Sequence, residues 1–170
     1  MLKISLFEKK YSERLLAYIN KVSVQTNNLG LEPEEIKSKF NLEKIQQLTD
    51  NLEASVSFIA IDEKSTQILG LAQISRKLRK RYKNHAELAI SVDKEYWNQH
   101  IGRKLLEACI NHAVDKWQID GIYLAVLADN QRAIYLYQKY GFKMTGNLPI
   151  LLTINGINKP GKLMFKNLQK

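Results

Sequence analysis

The sequence predicts a mixed α/β domain built on one sheet, and three observations carry that prediction. Short apolar or alternating runs bounded by turn residues recur seven times. Runs with apolar residues three and four apart separate some of them. The resulting order is strand, two helices, three strands, helix, strand, helix, two strands, which allows parallel pairing only where a helix intervenes. At 170 residues, 45% hydrophobic and 25% charged, the chain is long enough for one domain, residues 1–170, with a proper core.

Residues 2–6 (LKISL) alternate weakly and fit a first strand. From Tyr11, apolar side chains at Leu15, Leu16, Tyr18, Ile19 and Val22 recur at helical spacing, giving a first helix to about Val24. The polar stretch QTNNLG, ending at Gly30, breaks it. Pro33 followed by Glu34 and Glu35 opens a second helix, because proline is tolerated in a first turn and acids suit the positive helix end. Ile36, Phe40, Ile45 and Leu48 supply its inner face. Residues 54–61 (ASVSFIAI) and 68–75 (ILGLAQIS) flank the turn-forming DEKSTQ and are expected to pair as a hairpin. Residues 85–92 (HAELAISV) form the next strand, their partly continuous apolar character fitting burial on both faces.

The helix that follows carries Ile101, Leu105, Cys109 and Ala113 on one stripe, so Cys109 reads as core rather than nucleophile. Residues 121–127 (GIYLAVL) are a strand, and ADNQRAIYLYQKYGF is a short helix started by Asp129 or Asn130 and ended by Gly141. A strand begins over residues 142–145. A polar loop containing Pro149, Asn155, Gly156 and Pro160 is expected next, with KLMF as the last strand.

Composition narrows the function classes. No run of 18 apolar residues exists to span a bilayer, and the first ten residues become charged too early for a signal peptide, so a cytoplasmic protein with no membrane partner is expected. A single Cys109 allows no internal disulfide, and His85, His100 and His112 lack metal-ligand spacing, so no metal is expected. The net charge of +9 is concentrated in RKLRKRYK, which begins at Arg76 and ends at Lys83. This run reads as a solvated hairpin loop rather than a nucleic-acid surface, with nucleic acid kept as the rival.

The stretch AELAISVDKEYWNQHIGRKLL carries the chemistry, because a strand running through a polar loop onto a helix N-terminus aims several unpaired N–H groups at one point and suits a pyrophosphate. Together with DNQRAIYLYQKYGF it resembles the acetyl-CoA signature of the GNAT N-acetyltransferases. In the first block Trp97, His100 and Gly102 hold the motif positions, with Asn98 and His100 where bacterial members carry glycine. The second block is kept nearly whole, as Asn130, Ala133, Ile134, Leu136, Tyr137, Lys139, Gly141 and Phe142. Histidine is among the few residues other than glycine enriched in the left-handed region, so the loop retains its shape with His100.

The resemblance implies the GNAT fold, a mostly antiparallel sheet with one splayed parallel pair and about four helices. It implies acetyl-CoA as acyl donor, with CoA as product, and a primary-amine acceptor attacking directly in a ternary complex. On its positions the cofactor contacts fall at Ile90, Ser91, Val92, Asn98, Gln99, His100, Ile101, Gly102, Arg103, Lys104, Asn130, Ala133 and Tyr137. Tyr137 is placed near the departing thiolate and Glu87 as general base, with His85 or water as alternatives. Holding a lysine-type amine neutral at pH 7 costs roughly 4.6 kcal/mol, against about 1 for an α-amine, so an α-amine manages with a weak base. The acceptor is expected between the first two helices, their connection at residues 25–31, and the loop joining the last two strands. QTNNLGL and PILLTINGINKP hold no acidic residue, which disfavours polycations and leaves a small neutral or acidic amine, or a peptide N-terminus. Two rivals stay open: a catalytically idle acyl-CoA binder and a nucleic-acid binder using residues 76–83. A homodimer is also left open.

Overall fold

The computed structural model describes residues 1–30 and 32–169. Its strands are β1 (Leu2–Leu6), β2 (Ser55–Asp62), β3 (Ile68–Ser75), β4 (His85–Val92), β5 (Gly121–Leu127), β6 (Lys143–Ile154) and β7 (Ile157–Asn167). They form one sheet in the order β1-β2-β3-β4-β5-β7-β6. The helices are α1 (Ser12–Ser23), α2 (Pro33–Lys39), α3 (Leu42–Gln46), α4 (Ile101–His112) and α5 (Gln131–Lys139).

Every neighbouring pair is antiparallel except β4 and β5, which are joined by the α4 crossover. That parallel pairing is short. It links His85 to Gly121, Ala86 to Ile122 and Glu87 to Tyr123, and then stops. Beyond Glu87 the inner edge of β4 has no strand partner, while β3 continues to pair with its other edge as far as Val92.

The sheet carries a separate core on each face. On one, Leu105, Leu106 and Cys109 of α4 are fully buried against Ala72, Ile74 and Ile122. On the other, Leu15, Tyr18 and Val22 of α1 pack with Ile45 of α3 and Ile59 of β2. Gly70 lets α4 come close, since a Cβ there would stand 2.9 Å from Leu105 Cδ1 and 3.0 Å from Ile101 Cγ2.

Two expectations are corrected. The second helical region is two helices, giving five α-helices among the described residues. Phe40 adopts an extended backbone (φ −103°, ψ 122°), and Asn41 starts α3 by accepting the Lys44 N–H at 2.9 Å, so local capping divides what apolar spacing joined. The polar loop expected around Pro149 is instead a long hairpin. Asn155 (φ 50°) and Gly156 (φ 75°) make its tight two-residue turn, with Ile154 paired to Ile157. Pro149 is accommodated because β6 is the sheet edge and its register shifts between Leu148 and Leu152.

Candidate active site

A cavity of about 1060 Å³ runs along the inner edge of β4 where β5 has parted from it. Its walls come from both faces of the sheet. Tyr18, Ile19 and Leu71 belong to the α1 core, and Ile101, Ala133 and Tyr137 to the α4 core. The gap between the strands therefore opens into a passage connecting the two sides.

On the α4–α5 side the cavity meets the loop before α4. Asn98 (φ 63°) and His100 (φ 61°) both sit in the left-handed region, as expected for residues that stand where glycine is usual. His100 adopts this conformation at the helix N-cap without a side-chain cap, and the first backbone bond of the helix runs from Lys104 N–H to the His100 carbonyl. Among the described residues, the amides of residues 99–103 donate to no carbonyl or side chain. Lys104 spends its own amide in that bond and lies outside the lining, as does Gln99, whereas Asn98, His100, Ile101, Gly102 and Arg103 line it. Ile90, Ser91 and Val92 border the same space from the free edge of β4. An array of free N–H groups beside an unpaired strand edge fits a pyrophosphate followed by an extended amide-bearing arm. The chain thus has the groups that acetyl-CoA requires.

Arg132 organises the loop in a way the sequence reading missed. Its guanidinium stacks 4.4 Å from the Trp97 ring centroid and donates to Asn98 Oδ1 at 2.8 Å. Trp97 in turn donates its indole N–H to the Val92 carbonyl at 2.9 Å, which ties the loop to the end of β4. A cation two residues beyond Asn130 was visible in the sequence, but its aromatic partner lies in a different block.

Tyr137 is 7% exposed and packs against Phe142 with ring centroids 5.6 Å apart. Burial pushes its hydroxyl up to about 12, so it is a proton-bearing donor throughout the neutral range. Cys109 is fully buried, and burial alone raises its thiol to about 12, as suits a core residue. Asn130 and Ala133 line the cavity beside Tyr137, and Asn130 Oδ1 caps α5 by accepting the Ala133 N–H at 3.2 Å.

On the α1–α3 side, Glu87 stands where the parallel pairing ends, exposed to the cavity and accepting from the Tyr123 hydroxyl at 3.4 Å. His85 packs on the Tyr123 ring, centroids 5.5 Å apart, and does not line the cavity. The Tyr18 hydroxyl shares a hydrogen bond of 3.0 Å with Ser91 Oγ; burial raises its pKa well above the ordinary tyrosine value.

Asp93 joins the two sides. It has no exposed surface, and its Oδ2 lies 2.7 Å from Lys21 Nζ while Oδ1 accepts from Gln25 Nε2 at 2.9 Å. Gln25 also accepts the Lys94 N–H at 2.9 Å, so the end of α1 is fastened to the end of β4. Burial opposes the charge of Asp93, but Lys21, Gln25 and the Glu95 amide together hold its carboxyl below the usual range. Of the connection expected to grip an acceptor, Thr26, Asn28, Leu29 and Gly30 line the cavity, and Leu31 lies outside the described residues.

The basic residues 76–83 occupy the loop before β4, and none lines the cavity. Arg76 is engaged with the Glu53 carbonyl at 2.8 Å and the Trp117 ring at 4.6 Å. Among the described residues no group of three or more His, Cys, Asp or Glu is placed to hold a metal ion, and no helix is long and apolar enough to cross a membrane.

The model of the acetyltransferase (GNAT) family matches residues 24–142. The chain is 39% identical over 57 residues to the probable spermine N(1)-acetyltransferase of Bacillus subtilis subsp. natto (strain BEST195), covering 34% of this chain and 38% of that protein. It is 34% identical over 80 residues to the L-amino acid N-acetyltransferase AaaT of Escherichia coli (strain K12), covering 46% and 49%. The matched segments span less than half the length of either relative. The crystal structure of a GNAT-family acetyltransferase from Streptococcus pneumoniae superposes with a TM-score of 0.92 at 28% identity, covering 99% of this chain and 100% of that one.

Proposed function

The chain belongs to the GNAT acetyltransferase family, and on that premise we propose that it moves an acetyl group from acetyl-CoA to a primary amine by direct attack in a ternary complex. The observation that carries this reading is the cavity at the parting of β4 and β5, with Tyr137 bordering it from α5 and Glu87 from the α1–α3 side. Donor and acceptor approach from opposite faces of the sheet and meet in the gap.

In this reading the amides of residues 100–103 hold the donor's phosphates, and the free edge of β4 at Ile90, Ser91 and Val92 holds its extended arm. Asn98, His100, Arg103, Asn130 and Ala133 complete that half. Acetyl-CoA supplies an electrophilic thioester carbon. As the nitrogen–carbon bond forms and the carbon–sulfur bond breaks, Glu87 accepts the amine proton directly or through water, and Tyr137 hydrogen-bonds the departing thiolate. With the Tyr137 hydroxyl at about 12 and a thiol near 8.5, complete proton transfer to sulfur is uphill by about 5 kcal/mol. Tyr137 therefore acts by stabilising developing charge, and solvent delivers the final proton to CoA.

Thermal unfolding with CoA, combined with free-thiol release from acetyl-CoA across primary amines that include polyamines, amino acids and peptide N-termini, tests the reading. A raised Tm and amine-dependent thiol release are expected. A raised Tm without thiol release from any amine identifies an idle binder, and no rise at millimolar CoA rejects the donor site.

A further inference from the structure

The lining of the acceptor side specifies the kind of amine. Its walls are apolar, from Tyr18, Ile19, Val22 and Leu29 around α1 to Phe40 and Leu71. Thr26, Asn28, Ser57 and Gln73 add polarity without charge. Among the lining residues Glu87 is the one carboxylate, whereas Arg103, Arg132 and Lys139 all stand on the α4–α5 side. Resting on the acetyltransferase reading, we infer that the acceptor is a primary amine bearing a single positive charge on an uncharged, largely apolar body, such as an alkyl- or arylalkylamine or a peptide N-terminus with an apolar first residue.

Charge balance around Glu87 disfavours the two other classes. A second ammonium in this chamber loses its water and finds no anion, because Glu87 is engaged by the reacting nitrogen. A carboxylate on the carbon next to the nitrogen stands beside Glu87 and meets no cation on that side. A neighbouring chamber of about 390 Å³ does hold acids from the start of α2, Glu32, Glu34 and Glu35, and two of the three are engaged within the helix. Glu35 accepts the Glu32 N–H at 3.1 Å and Lys39 Nζ at 2.7 Å, and the Glu32 side chain accepts in the same capping box. Apolar walls reward hydrocarbon instead, by roughly fourfold in affinity per buried methylene.

The test compares matched amines on the full chain by kcat/KM for free-thiol release: hexylamine against 1,6-diaminohexane, and leucinamide against leucine. Hexylamine is expected to exceed the diamine, and leucinamide leucine, by about tenfold or more. A diamine as good as the monoamine, or leucine as good as its amide, overturns the inference. Ile19→Glu, on a half-buried helix position, is expected to shift the ratio toward the diamine by about fivefold; an unchanged ratio removes Ile19 from the acceptor wall and overturns the placement. Should no amine release thiol, the transfer reading fails separately. The rise in Tm of the CoA complex with each amine then carries the test, with hexylamine expected to stabilise more than the diamine and equal or absent shifts counting against it.

Discussion

At its α4–α5 end the cavity is lined by backbone N–H groups, a bare strand edge and three cations, whereas its α1–α3 end is walled by apolar side chains around one carboxylate. The first arrangement suits a large anionic ligand whose recognition depends on main-chain geometry. The second suits a small body recognised by what the side chains exclude. One end can therefore stay constant in shape under many sequences, while the other changes character with a single charged substitution. Asp93 is the fastening between them, holding α1 to β4 through Lys21 and Gln25.

The largest effect is expected where the two ends meet. Tyr137→Phe should lower turnover about a hundredfold while CoA affinity stays within about twofold, measured by steady-state rates and CoA titration. Unchanged turnover assigns Tyr137 to packing against Phe142 alone. Glu87→Gln should cost about tenfold in kcat/KM at pH 7 and flatten the acid limb of the pH profile, because the acceptor of the amine proton is gone. An unaltered rate and profile move the base to water or elsewhere.

Asp93→Ala leaves Lys21 and Gln25 without their shared partner. It should lower stability by about 2 kcal/mol, seen as a fall in Tm of roughly 4–8 °C, and raise KM for both substrates together. A change in only one KM would mean the two ends are not joined here. Smaller effects distinguish backbone from side chain in the loop. His100→Val forces a β-branched residue into φ 61° and should weaken CoA about tenfold, while His100→Gly keeps wild-type affinity. Gly102→Ala should change CoA affinity by less than about twofold, since its Cβ would meet Leu136 Cδ2 at 3.5 Å and Val92 Cγ2 at 3.7 Å, ordinary contacts.

The same contrast explains what the sequence made legible. The loop before α4 and the start of α5 are local: Asn98, His100, Asn130 and Tyr137 could be placed because a turn and a helix fix their relations over a few residues. The helix between β4 and β5 allowed their parallel pairing, and His85–Val92 and Gly121–Leu127 were placed with their observed bounds, but the insertion of β7 between β5 and β6 was not read. The acceptor walls were legible only in part: residues 25–31 and the segment PILLTINGINKP, which holds Leu151, were assigned to them, whereas Tyr18, Phe40 and Leu71 come from three separate segments and read only as core positions. Asp93 escaped for a similar reason, since an acid after a strand looks like a turn until α1 is laid against it. The length of the β6–β7 hairpin was missed because Pro149, Asn155, Gly156 and Pro160 were read together as one polar loop, although Asn155–Gly156 between apolar runs is a strong turn signal.

Hydrogen exchange of the full chain with and without CoA tests most directly whether the donor lies along the parting of β4 and β5. Protection should rise at residues 88–92 and 100–103, with α1 and α3 unchanged. Protection confined to α1–α3, or no change along β4, would contradict a donor held by that edge and loop.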